Sequence, residues 1–146
     1  MKRIPTIHKL TLLTIFVQLL PANSPNILVI FTDDQGYGDL ACYGNPNTKT
    51  PRLDQLAKEG TRFTSFYTQT VCGPSRSALL TGRYPCRSKG WGMPASEITF
   101  GELMREKGYQ TACIGKWDVS NRKAIIDRMP NAQGFDYYFG ALGAND

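Results

Sequence analysis

"TFGELMREKGYQTACIG", residues 99–115, places a helix signal directly in front of a strand signal. Thr99 stands where a helix N-cap belongs, and Glu102 three residues later completes a capping box, in which each side chain accepts from the other residue's amide. Gly108 is the stop. Beyond it "YQTACIG" is a short apolar run that predicts a second buried strand. Working outward, "TPRLDQLAKEG" (50–60) predicts a helix with Thr50 as N-cap, Pro51 at the first helical position, Leu53, Leu56 and Ala57 on one face, and Gly60 at its end. "PNILVIFTDD" (25–34) reads as a strand buried on both faces that stops at two carboxylates. "TRFTSFYTQT" (61–70) alternates as a strand does, and Pro74 and Ser75 open a helix carrying Ala78, Leu79 and Leu80 before Gly82. Pro85–Ser96, rich in Gly, Pro, Lys and Arg, reads as a loop. Strands alternating with helices argue for an α/β domain built on a mostly parallel sheet flanked by helices.

The 146 residues allow one modest domain, and a hydrophobic share of 41% with 20% charged residues is that of an ordinary globular chain. Residues 1–22 differ. Lys2, Arg3 and Lys9 form a basic lead, "LTLLTIFVQLL" (10–20) is uncharged, and Ala22 or Ser24 offers a small-residue exit. This is the layout of a secretory signal peptide, and the apolar run is too short to span a bilayer. A buried first helix or an uncleaved anchor is the competing reading. Without residues 1–22 the formal charge falls from +5 to +2, so the basicity is mostly targeting signal and gives no support to nucleic-acid binding. The expected mature chain is exported and has no stable membrane span. Export permits disulfides, but Cys42, Cys72, Cys86 and Cys113 show no C-x-x-C spacing, which argues against zinc and leaves the pairing open.

In open parallel sheets, ligands gather beyond the carboxyl ends of strands, where loops converge and helix N-termini point their N–H groups. Three polar features fall at such ends: Asp33 and Asp34, Cys72 before a helix, and Gly115-Lys116. Each alone has a bland reading as a solvated turn, a small buried hydrophobe or a surface lysine. Their coincidence on one edge makes them candidates for a site. Tyr137, Tyr138 and Phe139 read as packing aromatics, and Cys113 as a buried thiol.

"CGPSRSALLTGR" (72–83) resembles the signature of type I sulfatases, C-x-P-S-R followed by an apolar pair and T-G-R. "NILVIFTDDQGYGDLACYG" (26–44) is similar to that family's opening metal-binding strand, "GYQTACIGKW" (108–117) to its second signature, and "QGFDYYFG" (133–140) to the usual continuation. The likeness covers Asn26 to Asp146. It implies an alkaline-phosphatase-like fold and a sulfuric ester hydrolase. By position Cys72 resembles the cysteine that a formylglycine-generating enzyme oxidises within Cys72-Gly73-Pro74-Ser75-Arg76. One oxygen of the hydrated aldehyde attacks sulfur and displaces the alcohol, and the other expels sulfate as the aldehyde re-forms. The resemblance makes Asp33 and Asp34, with the modified Cys72, ligands of a divalent cation, calcium with magnesium as the alternative. It makes Arg76 the residue that holds the nucleophile and metal shell, and Lys116 a cation that grips sulfate.

The departures carry their own expectations. After "GKW" the family has His, a donor to sulfate or nucleophile, where this chain has Asp118; an ionised carboxylate there would repel sulfate, so no catalytic role is carried onto it. Thr70 replaces a smaller residue. The motifs belong to the N-terminal part of such enzymes, so the chain reads as a signal peptide, 1–22, followed at 23–146 by the N-terminal part of a catalytic domain. The Asp and Asn that complete the metal shell, the leaving-group His and a second Lys lie in the family's later part. These 146 residues alone are expected neither to bind calcium tightly nor to turn over a sulfate ester. A non-catalytic remnant or binding protein is the alternative, and a phosphatase or phosphodiesterase of the same superfamily a more distant one, since those enzymes use Ser or Thr as nucleophile. The sulfate ester itself is not specified by these residues.

Overall fold

The computed structural model describes residues 24–88, 92–120 and 126–143. The segment read as a signal peptide, 1–22, lies outside them. The chain divides into two units, Met1–Phe31 and Thr32–Asp146. In the first, residues 24–31 form neither helix nor strand, and Leu28 is 84% exposed. The expected buried strand at 25–34 is therefore corrected: a strand exists through its ladder of paired N–H and C=O groups, and none of the described ladders includes these residues.

Among the described residues the second unit carries three α-helices, α1 (Pro51–Glu59), α2 (Cys72–Thr81) and α3 (Phe100–Glu106), and two strands, β1 (Ala112–Ile114) and β2 (Tyr137–Phe139). The strands are parallel, with Ala112 opposite Tyr137, Cys113 opposite Tyr138 and Ile114 opposite Phe139. The α/β class expected from the sequence is present as this two-stranded parallel sheet with helices. Residues 61–70 are not a strand but an exposed, irregular stretch. The alternation there is of period two, yet no neighbouring strand among the described residues supplies a ladder.

Local signals explain the helices. Thr99 accepts from the Glu102 amide at 3.2 Å while Glu102 Oε2 accepts from the Thr99 amide at 2.8 Å, so the capping box of α3 is made as read. The Thr99 hydroxyl donates to the Gln133 carbonyl at 2.6 Å, which ties α3 to the segment before β2. Thr50 stands at the N-cap of α1, but its hydroxyl works elsewhere, accepting from the Ala41 amide at 3.1 Å and donating to Asp54 Oδ1 at 2.9 Å. α2 begins at Cys72, not at Pro74, because residues 72 and 73 already adopt the helical turn: the Ser75 amide donates to the Val71 carbonyl at 3.1 Å.

The core is small: Leu80 of α2, Met93, Trp117, Val119 and Phe135, with Phe100, Cys113, Tyr138 and Leu142 packed against it. Phe135 meets Trp117 and Phe100 edge-on, at ring-centroid distances of 5.9 and 5.8 Å. Two sequence expectations need adjustment. β1 is not buried on both faces, since Ala112 and Ile114 are exposed and Cys113 half-buried. Of the aromatic trio only Tyr138 packs inward; Tyr137 and Phe139 are exposed on β2. The period of two sends alternate side chains to opposite faces, and described residues cover one face only.

Candidate active site

Past β1 the chain turns at Gly115, whose φ of 110° lies in the left-handed region. Pairing with the β2 side nevertheless continues. The Gly115 amide donates to Phe139 O at 2.8 Å, the Trp117 amide to Ala141 O at 2.8 Å and the Asp118 amide to Leu142 O at 3.1 Å. Trp117 is locked as well through Nε1, which donates to the Arg128 carbonyl at 2.8 Å. Lys116 and Asp118 are thus held by main chain on either side of a buried tryptophan. Alternation sends the Trp117 ring into the core and its two neighbours the other way.

α2 points its first residue at this loop. Cys72 Sγ lies 3.0 Å from Asp118 Oδ2, with the thiol donating. Arg76, one helical turn on and so on the same face, donates from Nη1 to the Lys116 carbonyl at 2.9 Å. The Ser75 hydroxyl sits 2.8 Å from the Val71 carbonyl and 3.1 Å from that of Gln69, which fastens the entry to α2.

Asp33 completes the group. Its Oδ2 lies 2.8 Å from Lys116 Nζ and its Oδ1 3.4 Å from Arg76 Nη2. Lys116 Nζ is also 3.8 Å from Asp118 Oδ2. The hydrogen bond from Lys116 holds the Asp33 carboxyl below its ordinary range, and partial desolvation opposes this. The same bond raises the Lys116 ammonium above its ordinary value, with Cys72 adding to the shift and desolvation opposing it. Of the residues singled out from sequence, Asp33, Cys72, Arg76 and Lys116 therefore share one cluster. Asp34 does not join it: its side chain is exposed beside Asp33, at a φ of 52°, and no hydrogen bond or ion pair of its carboxylate occurs among the described residues.

The sulfatase family model matches residues 25–146. The chain belongs to the sulfatase family. It is 44% identical to human arylsulfatase A over 148 aligned positions, covering 92% of this chain and 29% of that protein. It is 39% identical to human steryl-sulfatase, covering 82% and 24%. A solved structure from work on the metabolism of multiple glycosaminoglycans by Bacteroides thetaiotaomicron aligns with a TM-score of 0.73 at 35% identity, covering 82% of this chain and 28% of that one. The chain thus spans under a third of the length of these sulfatases.

Within this sulfatase segment, Asp118 is the residue that sequence reasoning left without a role. It is fully buried, lies at a φ of 49°, and touches both Cys72 and Lys116. Its place two residues after Lys116 was the available signal. The pairing of residues 117–118 with 141–142, which turns its carboxylate toward α2, has no mark in the sequence. All four cysteines are free thiols, Cys113 with its pKa raised by burial. No helix among the described residues is long and apolar enough to cross a membrane.

Proposed function

We propose that this chain is the nucleophile-bearing part of a sulfuric ester hydrolase, with Cys72 as the residue converted to formylglycine. The observation that carries the reading is that Cys72 at the start of α2 and Lys116 after β1 meet at Asp118, with Arg76 and Asp33 joined to the same lysine. A hydrated aldehyde at position 72 supplies a nucleophile that sulfur accepts and that leaves again without hydrolysis of a stable ester. Lys116 and Arg76 supply positive charge beside that position, where negative charge grows on the sulfate oxygens. The first turn of α2 adds its N-terminal end. Burial of both basic side chains, 12% and 11% exposed, strengthens their pull on an anion.

Asp33 and Asp34 fit a divalent cation such as calcium or magnesium in donor chemistry, as hard carboxylate oxygens. Asp33 already draws two cationic groups, the Lys116 ammonium and the Arg76 guanidinium, which stand where such an ion's charge would act. Among the described residues no three of His, Cys, Asp and Glu converge as a metal cluster, so the two aspartates would furnish part of a shell. A calcium ion takes about six or more oxygens, and the 146 residues alone would hold it weakly. On the same reading the chain follows an export signal at 1–22, and Cys72-Gly73-Pro74-Ser75-Arg76 is the substrate of a formylglycine-generating enzyme.

Mass spectrometry of the peptide spanning Val71–Arg76, after co-expression with such an enzyme, is expected to show a loss of about 18 Da. An intact thiol under those conditions would remove the nucleophile and the proposal with it. One observation favours a second, non-catalytic reading: the Lys116 charge lies between two carboxylates, Asp33 and Asp118. Turnover of an aryl sulfate by a chain carrying both the converted Cys72 and the rest of a sulfatase's length excludes it.

A further inference from the structure

The Lys116 ammonium lies between two acids in unlike settings. Asp33, 2.8 Å away, has a side chain that is 42% exposed. Asp118, 3.8 Å away, is fully buried. Asp118 cannot drift, because its own amide and that of Trp117 are tied to residues 142 and 141 and the intervening indole is anchored in the core. Asp33 sits in a bend that forms neither helix nor strand. Lys116, with four rotatable carbons between its backbone and its charge, is the movable partner of the three.

A divalent cation on Asp33 would set a double positive charge against an ammonium 2.8 Å from the same oxygen. Like charges at that range repel strongly where little water separates them. The ammonium must then leave Asp33, and the nearest carboxylate on its path is Asp118, whose Oδ2 already accepts from Cys72. A buried carboxylate gains more from a close ammonium than an exposed one does, because water screens it less.

We infer that Asp118 is the alternate anchor of Lys116: when a divalent cation takes Asp33, the ammonium passes to Asp118 and stays beside Cys72. The inference rests on the cation reading given above and adds to it a residue with no assigned role. Its consequence is a coupling. Asp118 relieves the competition between Lys116 and the cation for Asp33, and by reciprocity the cation tightens the Lys116–Asp118 pair.

The test is a double-mutant cycle read by calcium affinity, with calcium chloride alone as the probe and NMR or calorimetric titration of the chain as the measurement. Asp118→Asn keeps the side-chain shape, and asparagine also tolerates the left-handed backbone at this position. It is expected to weaken calcium binding about fivefold or more. Lys116→Met is expected to tighten it, since the competitor is gone. In the Lys116→Met background, Asp118→Asn is expected to change affinity by less than about twofold. In the parent chain the 15N signal of the Lys116 ammonium is expected to move on calcium addition, and in Asp118→Asn to move differently. Equal weakening by Asp118→Asn in both backgrounds would mean direct ligation or general structural support and overturns the anchor. No weakening in either also overturns it, while leaving the cation reading intact. Absence of even weak calcium binding in all four proteins, including Lys116→Met, refutes the cation reading and the anchor together.

Discussion

Residues 27–31 and residues 112–114 are both short apolar runs followed within two residues by a charged side chain, and they end up in opposite states. The second is a strand: it pairs in register with Tyr137–Phe139, and Cys113 packs against the core. The first forms no ladder among the described residues, and Ile27, Leu28, Val29 and Ile30 are all exposed. Hydropathy does not separate them, since the exposed run is the more apolar of the two. What separates them is supply of a partner. The Thr99–Gln133 bond and the packing of Gly134 against α3 bring Phe135 and β2 to one side of Ala112–Ile114, whereas no described strand pairs with residues 27–31. A strand in this molecule is a property of two segments, and apolar character only makes one available.

The contrast yields predictions of decreasing size. The β1–β2 pair depends on Gly134, which reaches a φ of 90° with its backbone pressed on α3: a Cβ there would lie 2.6 Å from Glu102 Cα. Backbone on both sides leaves nothing to move aside. Gly134→Ala is expected to destabilise by about 3 kcal/mol or more in urea unfolding, from overpacking plus strain; a change below about 1 kcal/mol would mean that α3 does not set the position of β2. Thr99→Ala removes both the cap of α3 and the bond to Gln133 O, at an expected cost of about 1–2 kcal/mol by the same measurement.

The Asp33 corner gives a smaller, pH-dependent effect. Its carboxyl titrates below the ordinary range in the folded chain, so stability from the pair is present above about pH 4 and fades as pH falls through the lower folded value. Lys116, held above its ordinary value, contributes below about pH 10 and loses that contribution as pH climbs through the raised one. With the Asp33 side chain 42% exposed, the total should stay under about 1 kcal/mol. Comparing acid unfolding of the parent chain with Asp33→Asn checks it, the parent alone showing the added slope. Smallest of all, Leu28→Ser is expected to shift unfolding by no more than about 0.5 kcal/mol; a loss of several times that would place the first run in a packed strand.

Signals that act within one turn were legible in the residues. The capping box at Thr99 and Glu102 and Gly82 closing α2 at a φ of 64° are both local. Cys72 and Lys116 were legible as neighbours because one opens a helix and the other follows a strand, and Arg76 falls on the face of α2 that carries Cys72, whereas Asp33 joins them without a strand before it. The sequence signal puts the start of α2 two residues late, since proline at position 74 is tolerated within a first turn and does not fix where that turn begins. The strand at 61–70 was misread because alternation reports a capacity to pair and not a partner. Asp118 was out of reach for a further reason. Its direction is set by hydrogen bonds from the Trp117 and Asp118 amides to the Ala141 and Leu142 carbonyls, more than twenty residues away in the chain.

Lys116 holds Arg76 through its carbonyl oxygen and Asp33 through its ammonium. The two grips are chemically independent, because every amino acid brings the same carbonyl. Replacing the lysine side chain would strip the ammonium's charge from this corner while the guanidinium stayed moored. Geometry and polarity are thus separable here: a substitution at position 116 would alter the second and leave the first in place.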